Sequence, residues 1–365
     1  MMVVSKQHQI FFDFLRFCIG SAKEIPDSLK EADWKELYAI AQKQCLVGVL
    51  FDGIKKLPAE HVGMKKELLL QWMAESQMLE KANVRLNDAA IQVSEWFWKK
   101  EFRTCILKGQ GNALMYPNPY SRTPGDIDIW VEGGDKLVIS FVRSISPHEK
   151  VCYHHIEFPS YKGVEVEVHY RPSFLLCFWH NRKLQKYYDR VKVEQFSHRV
   201  MLGEHGEIAI PTVEFNLIFQ LTHIFSHLMN EGIGLRQLLD YYYVLSMLNV
   251  NCGMLTSTLK ELKELGLWKF AGGIMYIMQE VFGMPASRLI VPPNEKYGKF
   301  VLNEVLEAGN FGRHDARNRF GRSQLGHNLQ RVYRDIRLVR FFPLEALSEP
   351  IFRTWHFFWR MKNKK

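Results

Sequence analysis

Two aspartates, Asp126 and Asp128, stand one residue apart between a Pro-Gly turn and a short apolar run. Side chains at positions i and i+2 of a β-strand point to the same face, so these carboxylates would lie side by side. Like charges so close repel each other, and a divalent cation bound between them removes the repulsion. Ligands that are all carboxylate oxygens suit Mg²⁺ or Mn²⁺ better than zinc. The pair therefore predicts a metal site, although Asp-x-Asp also occurs on solvated sheet faces.

A second acidic strand is predicted at residues 164–170, where charged and apolar side chains alternate. Glu165, Glu167 and His169 share one face, and the valines between them are expected to face the core. If this strand lies beside the strand with the aspartates, three or four carboxylates meet at one place. A solvated sheet face would produce the same alternation. His169 is expected to orient a carboxylate or contact substrate, or else to pack at the sheet edge.

The segment before the aspartates offers groups that bind phosphate. Residues 102–109 predict a strand that ends at Lys108 and Gly109, and a short helix is predicted over residues 111–116. Backbone N–H groups at a glycine turn before a helix bind anions. Lys108 and Arg122 add cationic donors for phosphate oxygens. Phosphate donors beside an acidic pair are what nucleotidyl or phosphoryl transfer requires, because metals bridge the nucleophile, the phosphorus and the leaving group.

Taken in order, these residues resemble the uncharacterised nucleotidyltransferase family of the polymerase-β-like superfamily, whose members are common in bacteria. The resemblance spans residues 35–250 and lies in the combination of motifs. The matching positions are Lys108, Gly109, Arg122, Gly125, Asp126, Asp128, Glu167, Val168, His169, Tyr170, His223, His227, Arg236 and Asp240. The resemblance implies a small mixed sheet flanked by helices. It also implies that the two aspartates are metal ligands and that Glu167 is the third carboxylate, with Glu165 as an alternative.

Two departures from the wider superfamily affect the expected nucleotide site. The superfamily's usual Gly-Ser or Gly-Gly pair is replaced by Gly109 and Gln110, and Asp126 lies 17 residues after Gly109. The nucleotide-binding residues are therefore expected to be these two together with Lys108 and Arg122. The two cationic residues would take over part of the phosphate contact.

The periodicity of the apolar residues divides the chain into three parts. Residues 1–100 are predicted to be helical, residues 101–205 to form a mixed α/β core, and residues 206–365 to be helical with a basic tail. The expected fold class is α+β, with a small mixed sheet of the nucleotidyltransferase type and large N-terminal and C-terminal helical additions. The last N-terminal run, residues 67–100, is long enough that a bend or break is expected.

Composition adds limited constraints on partners and compartment. The formal net charge is +9, and residues 311–365 hold the whole surplus, with 13 Lys and Arg against 4 Asp and Glu. A basic surplus favours an anionic partner such as a nucleotide, nucleic acid or anionic lipid.

The six cysteines form no C-x-x-C pair. This favours a reducing, cytoplasmic compartment over a zinc site or a disulfide framework. No signal peptide or membrane-spanning apolar run is predicted.

Two pairs of residues farther along the chain each have a structural and a functional interpretation. His223 and His227 lie four apart on an apolar predicted helix, without the glutamate of a zinc motif. They would hydrogen-bond across a helix pair or close over substrate. Arg236 and Asp240 are also four apart. They would pair on one helix face, or Arg236 would hold the acceptor or a phosphate.

The C-terminal segment 349–365 predicts an amphipathic helix with an aromatic stripe and separate basic residues. The pattern fits packing on the protein's own helices, and it also fits peripheral contact with an anionic membrane or packing on a partner protein. The preceding basic stretch, residues 312–340, is compatible with nucleic acid but lacks the interleaved aromatic residues of a base-stacking surface. Nucleic acid is therefore not indicated as a partner.

The leading hypothesis is an enzyme that binds an NTP, ATP first, with Mg²⁺ or Mn²⁺. It would transfer the nucleotidyl group to an acceptor that the sequence does not identify. Asp126, Asp128 and Glu167 are the expected catalytic residues and metal ligands. His169 and Arg236 are the expected substrate contacts. The alternative hypothesis is a nucleotidyltransferase-like fold kept as a binding or assembly module without turnover, which the altered Gly-Gln pair favours and the intact acids oppose.

Overall fold

The computed structural model describes residues 4–204, 206–248, 252–317 and 323–362. Four helices precede the sheet, and they are α1 (Lys6–Ile19), α2 (Trp34–Lys43), α3 (Val47–Ile54) and α4 (Lys66–Trp98). The first part of the chain is therefore helical, as predicted. Of the bend or break expected in its last run, the break is wrong, because α4 is one helix of 33 residues. Its sequence contains no proline or glycine, the residues that commonly interrupt a long helix.

A four-stranded mixed sheet follows, in the spatial order β1-β2-β4-β3. Its strands are β1 (Thr104–Leu107), β2 (Ile127–Val131), β3 (His155–Tyr161) and β4 (Val164–His169). β2 and β4 run parallel, whereas β1 pairs with β2 and β3 pairs with β4 in the antiparallel sense. A small mixed sheet between helical additions confirms the predicted α+β fold class.

The two faces of this sheet differ in character because side chains alternate along each strand. One face is apolar, and its residues Ile127, Ile129 and Val168 are buried in a cluster with the C-terminal half of α4. The helix α6 (Gly134–Ile145) contributes to the same cluster. The opposite face carries the acidic residues. The predicted division of each alternating strand into a core face and an acidic face is therefore confirmed.

Two further helices, a hairpin and seven C-terminal helices are described. The short helix α5 (Gly109–Ala113) lies between β1 and β2, and the sheet is followed by α7 (Phe178–Ser197) and a hairpin of β5 (Arg199–Leu202) and β6 (Gly206–Ala209). The C-terminal helices are α8 (Val213–Asn230), α9 (Leu235–Met247), α10 (Cys252–Glu264), α11 (Trp268–Glu280), α12 (Glu295–Ala308), α13 (Gln324–Val339) and α14 (Pro343–Lys362). None of the described helices has the length and apolar content needed to cross a membrane.

Helices from both ends of the chain share one buried apolar cluster. It includes Phe14 of α1, Leu50 of α3 and Leu239 of α9. Trp130 of β2, which points to the acidic side of the sheet, belongs to the same cluster and stacks on Phe215 of α8. C-terminal helices therefore lie over the face of the sheet that carries the carboxylates.

Candidate metal and nucleotide site

The acidic face of the sheet brings the three predicted carboxylates together. In the parallel pair of β2 and β4, Asp128 lies opposite Glu167. Asp126, Asp128 and Glu167 each offer an oxygen atom, and these atoms lie within 4.8 Å of one another. Glu165, the alternative third ligand, is exposed and lies two residues earlier in β4, outside this group. The geometry therefore favours Glu167 over Glu165.

Asp128 is the best shielded of the three carboxylates, with 4% of its surface exposed. Its Oδ1 atom is 2.9 Å from Nζ of Lys108 and 2.9 Å from Nε2 of His169. Burial by itself would raise the pKa of Asp128. The two positive partners outweigh burial and hold this pKa well below its ordinary value. Asp128 is therefore ionised at neutral pH.

Asp126 shows the effect of the like charges. The charge of Asp128 first, and burial second, raise the pKa of Asp126 to about 6. The repulsion expected from the sequence thus raises the pKa of one aspartate, Asp126, and not of the other. A divalent cation bound by both aspartates would relieve it, and the all-oxygen ligand set fits Mg²⁺ or Mn²⁺.

His169 lies where it can orient the acidic residues, one of the roles predicted for it. Its Nε2 atom is 2.9 Å from Oδ1 of Asp128 and 3.3 Å from Oε2 of Glu167. Burial would lower the pKa of His169, but the hydrogen bonds to the two carboxylates outweigh burial and raise it to about 9. At neutral pH His169 is therefore a cation that holds both carboxylates in place.

His155 is a site residue with no strong sequence signal. β3 pairs with β4 so that His155 lies opposite His169, and Nδ1 of His155 is 3.4 Å from Oε2 of Glu167. These three side chains form a second group that could hold a metal ion. The order of the strands was the missing information, because the spacing of residues does not specify that β3 pairs with β4.

The raised pKa of Asp126 would make metal binding at this site depend on pH. A proton on Asp126 stabilises the metal-free fold, and this contribution is lost as the pH rises through about 6. Differential scanning fluorimetry should therefore show that Mn²⁺ raises the melting temperature more at about pH 8 than at about pH 5, where it must displace the proton. Replacing Asp126 with asparagine should stabilise the metal-free protein at about pH 8 and remove most of the gain from Mn²⁺. An equal Mn²⁺ effect at both pH values would contradict this assignment.

Lys108 occupies a strained backbone position at the end of β1. Its φ of 53° and ψ of −134° lie in a region that residues other than glycine rarely adopt. Gly109 follows with a φ of 40°. The turn places the ammonium group of Lys108 beside Asp128 and 3.3 Å from Nε2 of His223. Strain at a residue that reaches the carboxylates is typical of a functional site.

The rest of the predicted nucleotide-binding segment is divided between a cleft and the protein interior. Gly109 lines the cleft. The side chain of Gln110 is buried and donates a hydrogen bond to Oδ1 of Asn87 in α4. The helix α5 ends at Ala113, so it is shorter than the helix predicted over residues 111–116. In this turn, therefore, Gly109 faces the cleft and Gln110 ties the turn to α4.

Arg122 is paired inside the protein. Its Nε and Nη2 atoms donate to Oδ1 and Oδ2 of Asp240, each at 2.8 Å. Tyr116 donates a third hydrogen bond to the same carboxylate at 2.7 Å. The interpretation that Asp240 pairs with Arg236 is wrong, because Arg122 takes both carboxylate oxygens. Arg122 therefore anchors the loop that leads into β2.

Arg236 is a buried cation with no carboxylate within salt-bridge distance among the described residues. Its Nη1 atom donates to the carbonyl oxygen of Thr123 at 3.0 Å, and its guanidinium lies over the ring of Phe311. Its Nε atom is buried without a hydrogen-bond partner in the described part of the chain. Burial first, and the charge of Arg122 second, lower its pKa. Because Arg236 lines the cleft, an anionic ligand there would supply the missing partner.

One cleft of about 680 Å³ collects these groups over the acidic face of the sheet. His223 and His227 of α8 also line it, which fits the alternative in which they close over substrate. The C-terminal region contributes three arginines to its wall, namely Arg313, Arg331 and Arg353. The basic surplus of the tail was evident in the sequence, but its position beside the acids was not. The cleft thus combines a carboxylate cluster with cationic walls.

A small mixed sheet with clustered carboxylates on one face, set between helical additions, is the arrangement that the resemblance to a nucleotidyltransferase family implied. The family model described as "Uncharacterised nucleotidyltransferase" matches residues 30–283, and the chain belongs to that family. The predicted family is therefore confirmed. The match includes all the site residues predicted from the sequence, whereas the three arginines of the C-terminal wall lie beyond it. None of the curated proteins and none of the solved structures compared with the chain matches it.

Proposed function

We propose that the protein transfers a nucleotidyl group from an NTP, ATP in the first instance, to an acceptor hydroxyl or phosphate. The observation that carries the proposal is the convergence of Asp126, Asp128 and Glu167 within 4.8 Å. These carboxylates line the same cleft as Arg236, a buried cation available to an anionic ligand. Membership of the uncharacterised nucleotidyltransferase family supports the same class of reaction.

In this proposal the three carboxylates hold Mg²⁺ or Mn²⁺. Such an ion, when bound, neutralises the charge that develops as the nucleophile attacks and pyrophosphate leaves. Asp126 and Asp128 supply ligand oxygens, and His169 fixes the orientation of Asp128. Glu167 supplies the third oxygen and accepts the proton of the acceptor hydroxyl. Its Oε2 atom is held near the rings of His155 and His169, which limits its rotamers.

The cationic residues divide into those that reach the triphosphate and those that support the site. Lys108 is 2.9 Å from Asp128, close enough to bridge that carboxylate and a bound phosphate. Gly109 presents backbone beside it, and Arg236, which donates to the carbonyl oxygen of Thr123, supplies a second cation to the cleft. Arg122 acts indirectly, because Asp240 already occupies two of its guanidinium nitrogens.

The test is transfer of label from NTPs that are radiolabelled at the α-phosphate. The full-length protein is incubated with each NTP, Mg²⁺ or Mn²⁺, and a cell extract that supplies acceptors. We expect label on an acceptor, and we expect none with the Asp126→Ala/Asp128→Ala protein purified in parallel. If the double variant gives equal labelling, the activity comes from a contaminant and the proposal is wrong.

The second candidate function is a nucleotide-binding module without turnover. One observation favours it: Lys108 and His169 both lie 2.9 Å from the same Oδ1 atom of Asp128, so two protein cations already neutralise that carboxylate. A metal ion must compete with them. NTP binding that is lost in the double variant, without label transfer to any acceptor, would support this candidate over the enzyme.

A further inference from the structure

The two C-terminal helices, α13 and α14, pack against each other and expose a large share of apolar surface. On α13 the exposed positions are spaced by three or four residues, as on one stripe of a helix. They are Leu325, Leu329, Val332 and Ile336. On α14 a second stripe of exposed apolar residues follows a similar helical spacing. It consists of Leu344, Leu347, Ile351 and Phe358. We call these two rows the outer stripes.

The orientation of α14 is fixed by its inner face. Phe352 is buried and packs on Tyr153 and Phe174, with ring centroids 5.4 and 5.2 Å apart. Glu345 is buried and accepts hydrogen bonds from the backbone N–H groups of Leu176 and Cys177. The aromatic stripe predicted for this helix is therefore split. Phe352 packs on the protein, whereas Ile351 and Phe358 stay more than 60% exposed, as does Leu347, which precedes the predicted segment.

The charge of the two helices is strongly biased toward one sign. Residues 323–362 contain seven Arg and Lys and three Asp and Glu. Two of the acids, Glu345 and Glu349, are each only 5% exposed, and two of the arginines, Arg331 and Arg353, line the cleft, so none of these four is counted toward the outer surface. The exposed basic residues Arg340 and Lys362 each lie four residues after a stripe residue, Ile336 and Phe358, so they extend the two outer stripes. Apolar stripes accompanied by cationic residues and exposed aromatic rings are the features of helices that lie in a membrane interface.

We propose that the outer stripes of α13 and α14 dock on the surface of an anionic lipid membrane. The charge argues against a second copy of the chain as the occupant, because pairing two such surfaces would bring Arg340 and Lys362 of both copies into one interface. Anionic headgroups would instead neutralise the arginines while the apolar side chains enter the acyl boundary. The proposal is independent of the reaction assigned to the cleft, because none of the outer-stripe residues lines it.

Vesicle flotation with the full-length protein tests this proposal. One set of vesicles is phosphatidylcholine alone, and in the other about a third of the lipid is phosphatidylglycerol. We expect the protein to float with the anionic vesicles and to stay behind with the neutral ones. The variant Leu347→Glu/Ile351→Glu/Phe358→Glu should lose at least about tenfold in vesicle affinity. Because these side chains are exposed, its melting temperature should match the wild type.

The matched control is Met78→Glu/Met201→Glu/Met247→Glu, which adds the same charge at exposed apolar positions elsewhere on the protein. It should float like the wild type. The proposal is overturned if the wild type does not float with anionic vesicles, or if the stripe variant floats as well as the control. It is also overturned if light scattering shows a wild-type dimer that the stripe variant converts to a monomer, since the stripes would then cover each other.

Discussion

Replacing Asp128 with asparagine should lower the rate of nucleotidyl transfer by about a thousandfold while the fold is retained. A bound metal ion stabilises the transition state by several kcal/mol, and each 1.4 kcal/mol lost lowers the rate about tenfold. The asparagine has the same shape but lacks the charge that binds a cation. Asp128 is the carboxylate on which the site is centred, since Lys108, His169 and Glu167 all lie around it. The measurement is the initial rate of label transfer at saturating metal and NTP.

The matched control for this prediction is Glu165→Gln, on the strand next to Asp128. It removes the same charge from the same face of the sheet, but Glu165 is exposed and lies outside the carboxylate group. Its rate should stay within about twofold of the wild type, whereas Glu167→Gln should lose most of the activity. A large loss with Glu165→Gln and little loss with Glu167→Gln would reverse the assignment of the third ligand. Full activity in Asp128→Asn would contradict the proposal that Asp128 binds a metal ion needed for the reaction.

Replacing Asp240 with alanine should destabilise the protein by about 3–5 kcal/mol, because it leaves a buried arginine without its counter-ion. The side chains of Arg122 and Asp240 are 5% and 7% exposed and meet through two hydrogen bonds. Tyr116 would also lose its acceptor. The loss should be measured as the free energy of urea-induced unfolding.

The control for this prediction is Glu207→Ala, which removes a partner of Arg199 in an ion pair that is about half exposed. That change should cost less than about 1 kcal/mol. The double variant Arg122→Met/Asp240→Leu should recover much of the stability lost in Asp240→Ala, since no unpaired charge remains buried. If Asp240→Ala is no more destabilising than Glu207→Ala, Arg122 is not anchored as described.

Local sequence patterns predicted the elements that hold the site. Alternation in residues 126–131 and 164–169 assigned each side chain to a face, and both assignments hold in the sheet. Side chains alternate between the two faces of a strand, so once the apolar residues occupy one face the residues between them must occupy the other. Asp128 and Glu167 therefore had to share the polar face. Their adjacency still required that β2 and β4 be neighbours, which the alternation does not specify.

Contacts between distant parts of the chain could not be predicted in the same way. Arg122 and Asp240 are 118 residues apart, so no local pattern connects them. The helical spacing rule favoured Arg236 instead, because it lies four residues before Asp240. The choice between them is made by tertiary packing. The same holds for Arg331 and Arg353, which line the cleft only because α13 and α14 fold back over it.

Isothermal titration of the wild-type protein with ATP and the other NTPs, in Mg²⁺ or Mn²⁺, tests most directly whether the paired aspartates form a metal and nucleotide site. The account predicts that at least one NTP binds in a metal-dependent manner. It also predicts that Asp126→Asn/Asp128→Asn loses this binding while it still folds, as shown by a cooperative unfolding transition. The account is contradicted if the wild type binds no NTP with either metal, or if the double variant binds the same NTP equally well.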